Sequence, residues 1–206
     1  MDGGGQMSQG FDEIFGTQRV IAILRGLPDR ETVELACRAW DLGIDLVEVP
    51  VQTPDALPVL RAAIAAGAER GRSVGAGTVI TLEQVAAVAE AGATFTVAPG
   101  LDPAVLAASV AAGLPHLPGV STPSEIQVAL RHGVQWLKAF PATALGAAWF
   151  KAIPGPFPQV KLVATGGIDA YSAPEFLGAG ARAVGVGSAL ADPAQIDLLA
   201  DIIKPA

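Results

Sequence analysis

The sequence predicts a single (β/α)8 barrel, the TIM-barrel class of α/β fold, and three observations predict it. Short apolar segments recur every 20 to 28 residues. The stretches between them have helical spacing with start and stop signals. The few polar residues of the segments gather at the segments' C-terminal ends, where barrels of this kind do their chemistry.

The segments are Val20–Leu24, Leu46–Pro50, Val74–Thr78, Phe95–Pro99, His116–Ser121, Trp136–Phe140, Leu162–Gly167 and Ala183–Ser188. Each is rich in Val, Ile, Leu or small residues and bounded by Gly or Pro, as buried parallel strands are. Asp12-Glu13-Ile14-Phe15 reads as a leading helix that plugs the barrel bottom. Leu82–Ala91 and Ala104–Ala112 have helical spacing, and Ile196–Ile203 reads as the last helix. Gly43, Gly92, Gly113, Gly133 and Gly180 stand where helices should close through a left-handed residue. Thr81-Leu82-Glu83-Gln84 offers a capping box, and Thr122-Pro123-Ser124-Glu125 a cap with proline in the first turn. A doubly wound open sheet is the runner-up, but it usually has fewer strands and a Gly-rich dinucleotide loop after the first. No such loop is present. Residues 1–10 read as a flexible leader and 11–206 as one barrel domain.

Composition narrows the function. Of 206 residues, 51% are hydrophobic and 16% charged, so burial should be extensive. The net charge is −7 without a Lys/Arg cluster, which argues against nucleic acid and anionic membranes. No apolar run reaches the ~18 residues of a membrane span. The N-terminus lacks the pattern of a signal peptide. Cys37 is the one cysteine, which excludes an intrachain disulfide and fits a reducing cytoplasm. No spacing of His, Cys, Asp or Glu suggests a metal site.

Two charges sit inside apolar segments. Lys138 lies in Trp136-Leu137-Lys138-Ala139-Phe140, whereas Lys151, Lys161 and Lys204 have polar, Pro/Gly-rich or terminal surroundings. Burial lowers a lysine's pKa and frees a neutral amine, the nucleophile of Schiff-base chemistry. The bland alternative is a lysine that snorkels or pairs with a carboxylate. Glu48 lies in Leu46-Val47-Glu48-Val49-Pro50. The second and sixth strands are both even-numbered, so their inward side chains share layers and can converge. That supplies a nucleophile and an acid/base partner, or else a structural ion pair. Gly166, Gly167, Gly187 and Ser188 close the last two segments, where backbone amides can hold a phosphate; ordinary turn glycine is the alternative. Thr78 and Arg25 can hold a carboxylate, although Arg25 can equally pair with Asp29 on the rim. Pro99, Pro118 and Phe140 supply apolar walls. His116 begins its strand at the wrong end, and His132 sits in a helix C-terminal turn.

In combination and order, several stretches resemble the 2-keto-3-deoxy-6-phosphogluconate/4-hydroxy-2-oxoglutarate aldolases, with their phosphogalactonate branch. They are Ile21-Ala22-Ile23-Leu24-Arg25-Gly26, Val47-Glu48-Val49, Gly75-Ala76-Gly77-Thr78, Ala98-Pro99-Gly100-Leu101, Leu117-Pro118-Gly119-Val120-Ser121-Thr122, Leu137-Lys138-Ala139-Phe140-Pro141 and Thr165-Gly166-Gly167. The resemblance implies Lys138 as the Schiff-base lysine and Glu48 as the acid/base. It implies Arg25 and Thr78 near the substrate carboxylate, and the glycines with Ser188 around the phosphate. It also implies a homotrimer that needs no metal or organic cofactor and takes a phosphorylated keto acid, releasing pyruvate. Gln52 stands where the gluconate branch has arginine and the galactonate branch asparagine. The first stretch looks like the galactonate branch, and the Pro99 and Gly119 stretches like the gluconate branch. A phosphate-binding barrel isomerase or synthase, and a non-catalytic sugar-phosphate-binding barrel, are the competing readings.

Overall fold

A strand that is apolar on both faces must be covered on both, one face by helices and the other by its fellow strands across an axis. The computed structural model, which describes residues 10–203, resolves this as a closed barrel. In chain order the elements are helix α1 (10–15), β1 (Val20–Ile23), α2 (Asp29–Leu42), β2 (Leu46–Pro50), α3 (Ala56–Glu69), β3 (Val74–Gly77), α4 (Leu82–Ala91) and β4 (Thr96–Val97). There follow α5 (Pro103–Ala111), β5 (His116–Leu117), β6 (Gly119–Val120), α6 (Pro123–Arg131), β7 (Trp136–Ala139), α7 (Ala142–Leu145) and α8 (Ala147–Ala152). The chain ends with β8 (Lys161–Ala164), α9 (Ala173–Gly178), β9 (Ala183–Val186), a 3-10 turn (Ser188–Leu190) and α10 (Pro193–Ile203). Residues 1–9 of the expected leader lie outside the described residues, and Gly10 already belongs to α1.

All strand pairs are parallel, in the order β5-β4-β3-β2-β1-β9-β8-β7-β6. The two ends of that order are halves of one predicted strand, split because Pro118 has no N–H to give the ladder. Closure runs through the break: the Lys138 amide donates to Pro118 O at 2.9 Å, and the Gly119 amide donates to Gly100 O at 3.0 Å. Several strands stop short of their predicted ends. β3 ends before Thr78, which turns into the left-handed region at φ 57°. β8 ends ahead of left-handed Gly166 and Gly167, and β9 ends where the 3-10 turn begins. The helix signals hold. Thr81 and Thr122 each form complete capping boxes, and all five predicted closing glycines have positive φ.

The interior divides by height. The lower half of the barrel is filled by Phe11 and Phe15 of α1 with Phe95, Leu117, Trp136 and Val163. Phe15 stacks on Trp136 at 4.4 Å with ring planes 6° apart. The Trp136 indole N–H donates to Asp12 at 2.8 Å, and the Lys161 ammonium donates to the same carboxylate oxygen. The leading helix is therefore the barrel's floor, as its sequence predicts. The larger core, around Val47, Leu60, Leu137 and Phe150, lies between the sheet and the outer helices. Among the described residues no helix is long and apolar enough to cross a membrane.

Candidate active site

Side chains two apart along a strand share a face. Trp136 points to the floor, so Lys138 points into the barrel one layer higher. On β2, Leu46 points to the floor and Glu48 stands above it. Both charged residues are 1% exposed. Lys138 takes part in none of the ion pairs among the described residues. Its Nζ lies 5.1 Å from the centroid of the Phe140 ring. One Glu48 carboxylate oxygen, Oε1, is buried without a hydrogen-bond partner among the described residues.

These surroundings set the charge state. Burial pushes the Glu48 carboxyl up, and the Lys138 and Arg25 cations pull it only partly back. Burial pushes the Lys138 amine down, with Glu48 opposing and Arg25 adding to the fall. Desolvation leads in both, so the pair is driven toward neutral amine and neutral acid. An uncharged amine can attack a ketone, and a carboxylic acid beside it can protonate the departing oxygen.

A cavity of about 520 Å³ opens at the C-terminal ends of β1, β7, β8 and β9. Lys138, Phe140, Arg25, Gly166, Gly167, Gly187 and Ser188 line it together. Arg25 is exposed and forms no ion pair with Asp29, so its guanidinium is available at the mouth. Gly166 and Gly167 have φ of +96° and +80°. A Cβ on Gly167 would come within 2.7 Å of Thr143 Oγ1, and one on Gly166 within 3.0 Å of the Phe140 ring. Only glycine allows this turn, which leaves bare backbone at the cavity wall.

Other predicted residues lie elsewhere. Gln52 is exposed in a groove between α3 and α4 with Glu83 and Gln84. Pro99 lines a small cleft with Val79 and Leu101. Thr78 is half-buried at the head of β3 and lines none of these cavities. Its left-handed backbone is unusual for a β-branched residue, a conformation that costs on the order of 1–3 kcal/mol. Glu48 is buried and is not among the residues that line the large cavity. His116 faces the outer helices, where its Nδ1 meets Thr96 Oγ1 at 2.8 Å, and Thr96 meets Ser109 at 2.5 Å. Burial drops its pKa to about 4, so it is neutral at pH 7.

Two polar cavity residues escaped the sequence reading. Thr165 is buried with its hydroxyl unpartnered among the described residues, and it lines the cavity beside Lys138. Its position four residues after Lys161 on one strand face was the available signal. Asp169 also lines the cavity, but Ser172 occupies it: Asp169 Oδ1 accepts from the Ser172 amide at 2.8 Å and the hydroxyl at 2.7 Å.

A desolvated amine at the C-terminal mouth of a parallel barrel puts this molecule in the class of barrel enzymes equipped for lysine-imine chemistry. Comparison with known proteins fixes the family. The KDPG and KHG aldolase family model matches residues 11–202, and the chain belongs to that family. The 2-dehydro-3-deoxy-6-phosphogalactonate aldolase of Escherichia coli is 34% identical over 172 residues, 83% of each chain. The 2-dehydro-3-deoxy-phosphogluconate aldolase of Treponema pallidum is 37% identical over 180 residues, 86% of this chain and 83% of that one. A crystal structure of the Legionella pneumophila KDPG aldolase holds pyruvate captured at low pH as a covalent carbinolamine. It superposes with a TM-score of 0.78 at 31% identity, covering 98% of this chain and 97% of that one.

Proposed function

We propose that the protein is a class I aldolase, a carbon–carbon lyase of the aldehyde-lyase type. It cleaves a 2-keto-3-deoxy-6-phospho sugar acid of the gluconate or galactonate series to pyruvate and glyceraldehyde 3-phosphate. The observation that carries this reading is Lys138, buried, in no salt bridge among the described residues, and lining the cavity.

The neutral Lys138 amine attacks the C2 ketone and gives a carbinolamine. Glu48, whose carboxyl burial pushes toward the protonated form, gives its proton to the leaving hydroxyl, so water departs and a protonated imine forms. The imine is an electron sink. Glu48, now a carboxylate, takes the C4 hydroxyl proton as the C3–C4 bond breaks and its electron pair flows into the imine. The aldehyde leaves, and Glu48 returns the proton to C3 of the enamine. Water adds to the new imine, Glu48 takes its surplus proton, and collapse frees pyruvate and the amine. Protons balance with one acid, and no cofactor is called for.

The backbone of Gly166 and Gly167, with Gly187 and Ser188, suits the phosphate, and Arg25, which shares that cavity with Lys138, suits the carboxylate next to the C2 imine. Phe140 walls the imine. Thr78, Gln52 and Pro99 follow β3, β2 and β4 outside that cavity, and we assign them to the carboxylate end of the substrate. The lone Cys37 and the acidic chain suit a cytoplasmic enzyme, and the homotrimer belongs to the same proposal.

Borohydride with pyruvate tests this reading. The protein should gain one reduced adduct on Lys138, located by peptide mass, and Lys138→Ala should gain none. An adduct absent from wild type, or pyruvate release surviving in Lys138→Ala, would overturn it.

A further inference from the structure

The geometry points to Gly77 as the residue that positions the Glu48 carboxylate, an inference that rests on the acid/base role proposed for Glu48. Gly77 ends β3 opposite Pro50 of β2, beside the strand that carries Glu48. A Cβ built on Gly77 would lie 1.8 Å from Glu48 Oε1, 2.6 Å from its Cδ and 2.8 Å from its Cγ. Its three nearest neighbours thus all belong to one side chain, and the nearest is the oxygen that lacks a hydrogen-bond partner among the described residues. No described residue hydrogen-bonds this oxygen into place; the empty space above a glycine admits it there.

Two nearby glycines show how specific this contact is. A Cβ on Gly75 would strike the Phe95 ring at 2.2 Å, and one on Gly119 would strike Pro99 O at 2.1 Å. Those glycines make room for packing and backbone. Gly77 alone of the three makes room for an ionisable group, and its φ lies outside the left-handed region, so alanine suits its backbone. A methyl group there therefore leaves the strand its conformation and swings the carboxylate off its station. Because proton transfer depends on hydrogen-bond reach, a displacement of an ångström or so costs rate rather than substrate binding.

The test is a pair of double-variant cycles on the full chain. Gly77→Ala should lower kcat by about 10- to 100-fold, within the range of a lost acid–base contribution, with KM changed less than threefold and the borohydride–pyruvate adduct still formed. Glu48→Asp, one methylene shorter, should recover part of the rate in the Gly77→Ala chain although it slows the wild type. On stability, any loss of melting temperature from Gly77→Ala should vanish in a Glu48→Ala background, where the methyl has nothing to strike. This second cycle reads the contact even if Gly77→Ala folds poorly. Wild-type kcat in Gly77→Ala, additive rates in the aspartate cycle, or the same melting loss with and without the Glu48 side chain would each overturn the inference. Failure of wild type to form the adduct would instead overturn the aldolase reading and leave the stability cycle interpretable.

Discussion

Two lysines face the same barrel axis from neighbouring strands, and they live in opposite conditions. Lys161 starts β8 at the floor. It is part-exposed, donates to Asp12 and lies 5.5 Å from the centroid of the Trp136 ring. Lys138, on β7 near the mouth, is buried and forms no salt bridge among the described residues, with its pKa driven down by burial although Glu48 opposes the fall. The floor pairs its polar groups: Asp12 accepts from both Trp136 and Lys161. The mouth leaves Glu48 Oε1 and Thr165 Oγ1 orphaned. Buried polar groups without partners are costly, and at a cavity a ligand can complete them; Trp40 Nε1 and His116 Nε2, also unpartnered among the described residues, do not line the cavity. The contrast separates a lysine used to hold the barrel from one held ready for chemistry.

The largest expected effect breaks the contrast at the mouth. Lys138→Met should lower pyruvate release by about 10⁴-fold or more, since the covalent route vanishes with the amine. It should melt no lower than wild type at pH 7, because methionine fills similar volume without desolvating an amine. The sign follows from linkage. A lysine whose folded pKa is depressed destabilises the fold below that pKa and does so less as pH rises toward the ordinary lysine range. In wild type, the rise of kcat/KM with pH that reports the free amine should lie below the ordinary lysine range, because burial lowers the Lys138 pKa. Glu48→Gln should move that rise to still lower pH, because the carboxylate opposes the fall, whereas burial and Arg25, which drive it, remain. A variant that melted well below wild type would mean that Lys138 also holds the structure.

At the floor, Phe15→Ala should cost about 3–5 kcal/mol, the usual loss for a buried aromatic ring. Phe15 is 1% exposed and stacked on Trp136, so its removal opens the plug beneath the barrel. Urea unfolding checks this. Activity per folded molecule should hold within about twofold, since the floor lies a layer below the amine and the effects of separated sites add. A selective loss of kcat at full stability would mean that floor and mouth are not independent.

Much of this division was legible in the chain. Eight apolar segments, five closing glycines, one capping box and one proline-led helix cap follow local rules, and the structure repeats them, the second cap as a full capping box. Lys138 and Glu48 stood out because each is the one charge in an apolar run, an anomaly that needs no fold to detect. What local pattern could not carry was close approach. Gly77 reads as a small strand residue until Glu48 is seen over it, and Thr165 reads as a strand end until its hydroxyl is found unpartnered. The left-handed turn at Thr78 has no sequence mark, because a β-branched residue is the wrong type for it. Strand ends were overextended for the same reason: glycines and threonine continue an apolar run on paper and leave the ladder in space.

Thr165→Val sharpens the mouth. Valine keeps the shape and removes a hydroxyl that is unpartnered among the described residues, so stability should stay level or rise slightly. If the hydroxyl is completed by substrate, kcat/KM should fall by roughly tenfold, the worth of one hydrogen bond of about 1 kcal/mol or a little more. Unchanged kinetics would make the orphan a structural oddity.

The smallest effect breaks the floor's own ion pair. Lys161 and Asp12 side chains are 34% and 44% exposed, so water and salt screen them and the pair is worth less than about 1 kcal/mol. Lys161→Met should lower the melting temperature by no more than about 2–4 °C, and less at high ionic strength. The Asp12 carboxyl is held below its ordinary range chiefly by the Lys161 hydrogen bond. A depressed carboxylate contributes stability at neutral pH that is lost as pH falls through the lowered value. Without Lys161 that acid dependence should shrink, although the Trp136 indole still donates to Asp12. Pyruvate release should stay within about twofold of wild type, because this ammonium lies a layer below the cavity. Thermal melts at pH 7 and pH 4 with a coupled pyruvate assay decide the matter. A tenfold loss of turnover in Lys161→Met, with the small melting change, would give the floor lysine a share in the chemistry and remove the basis for treating the two lysines as opposites.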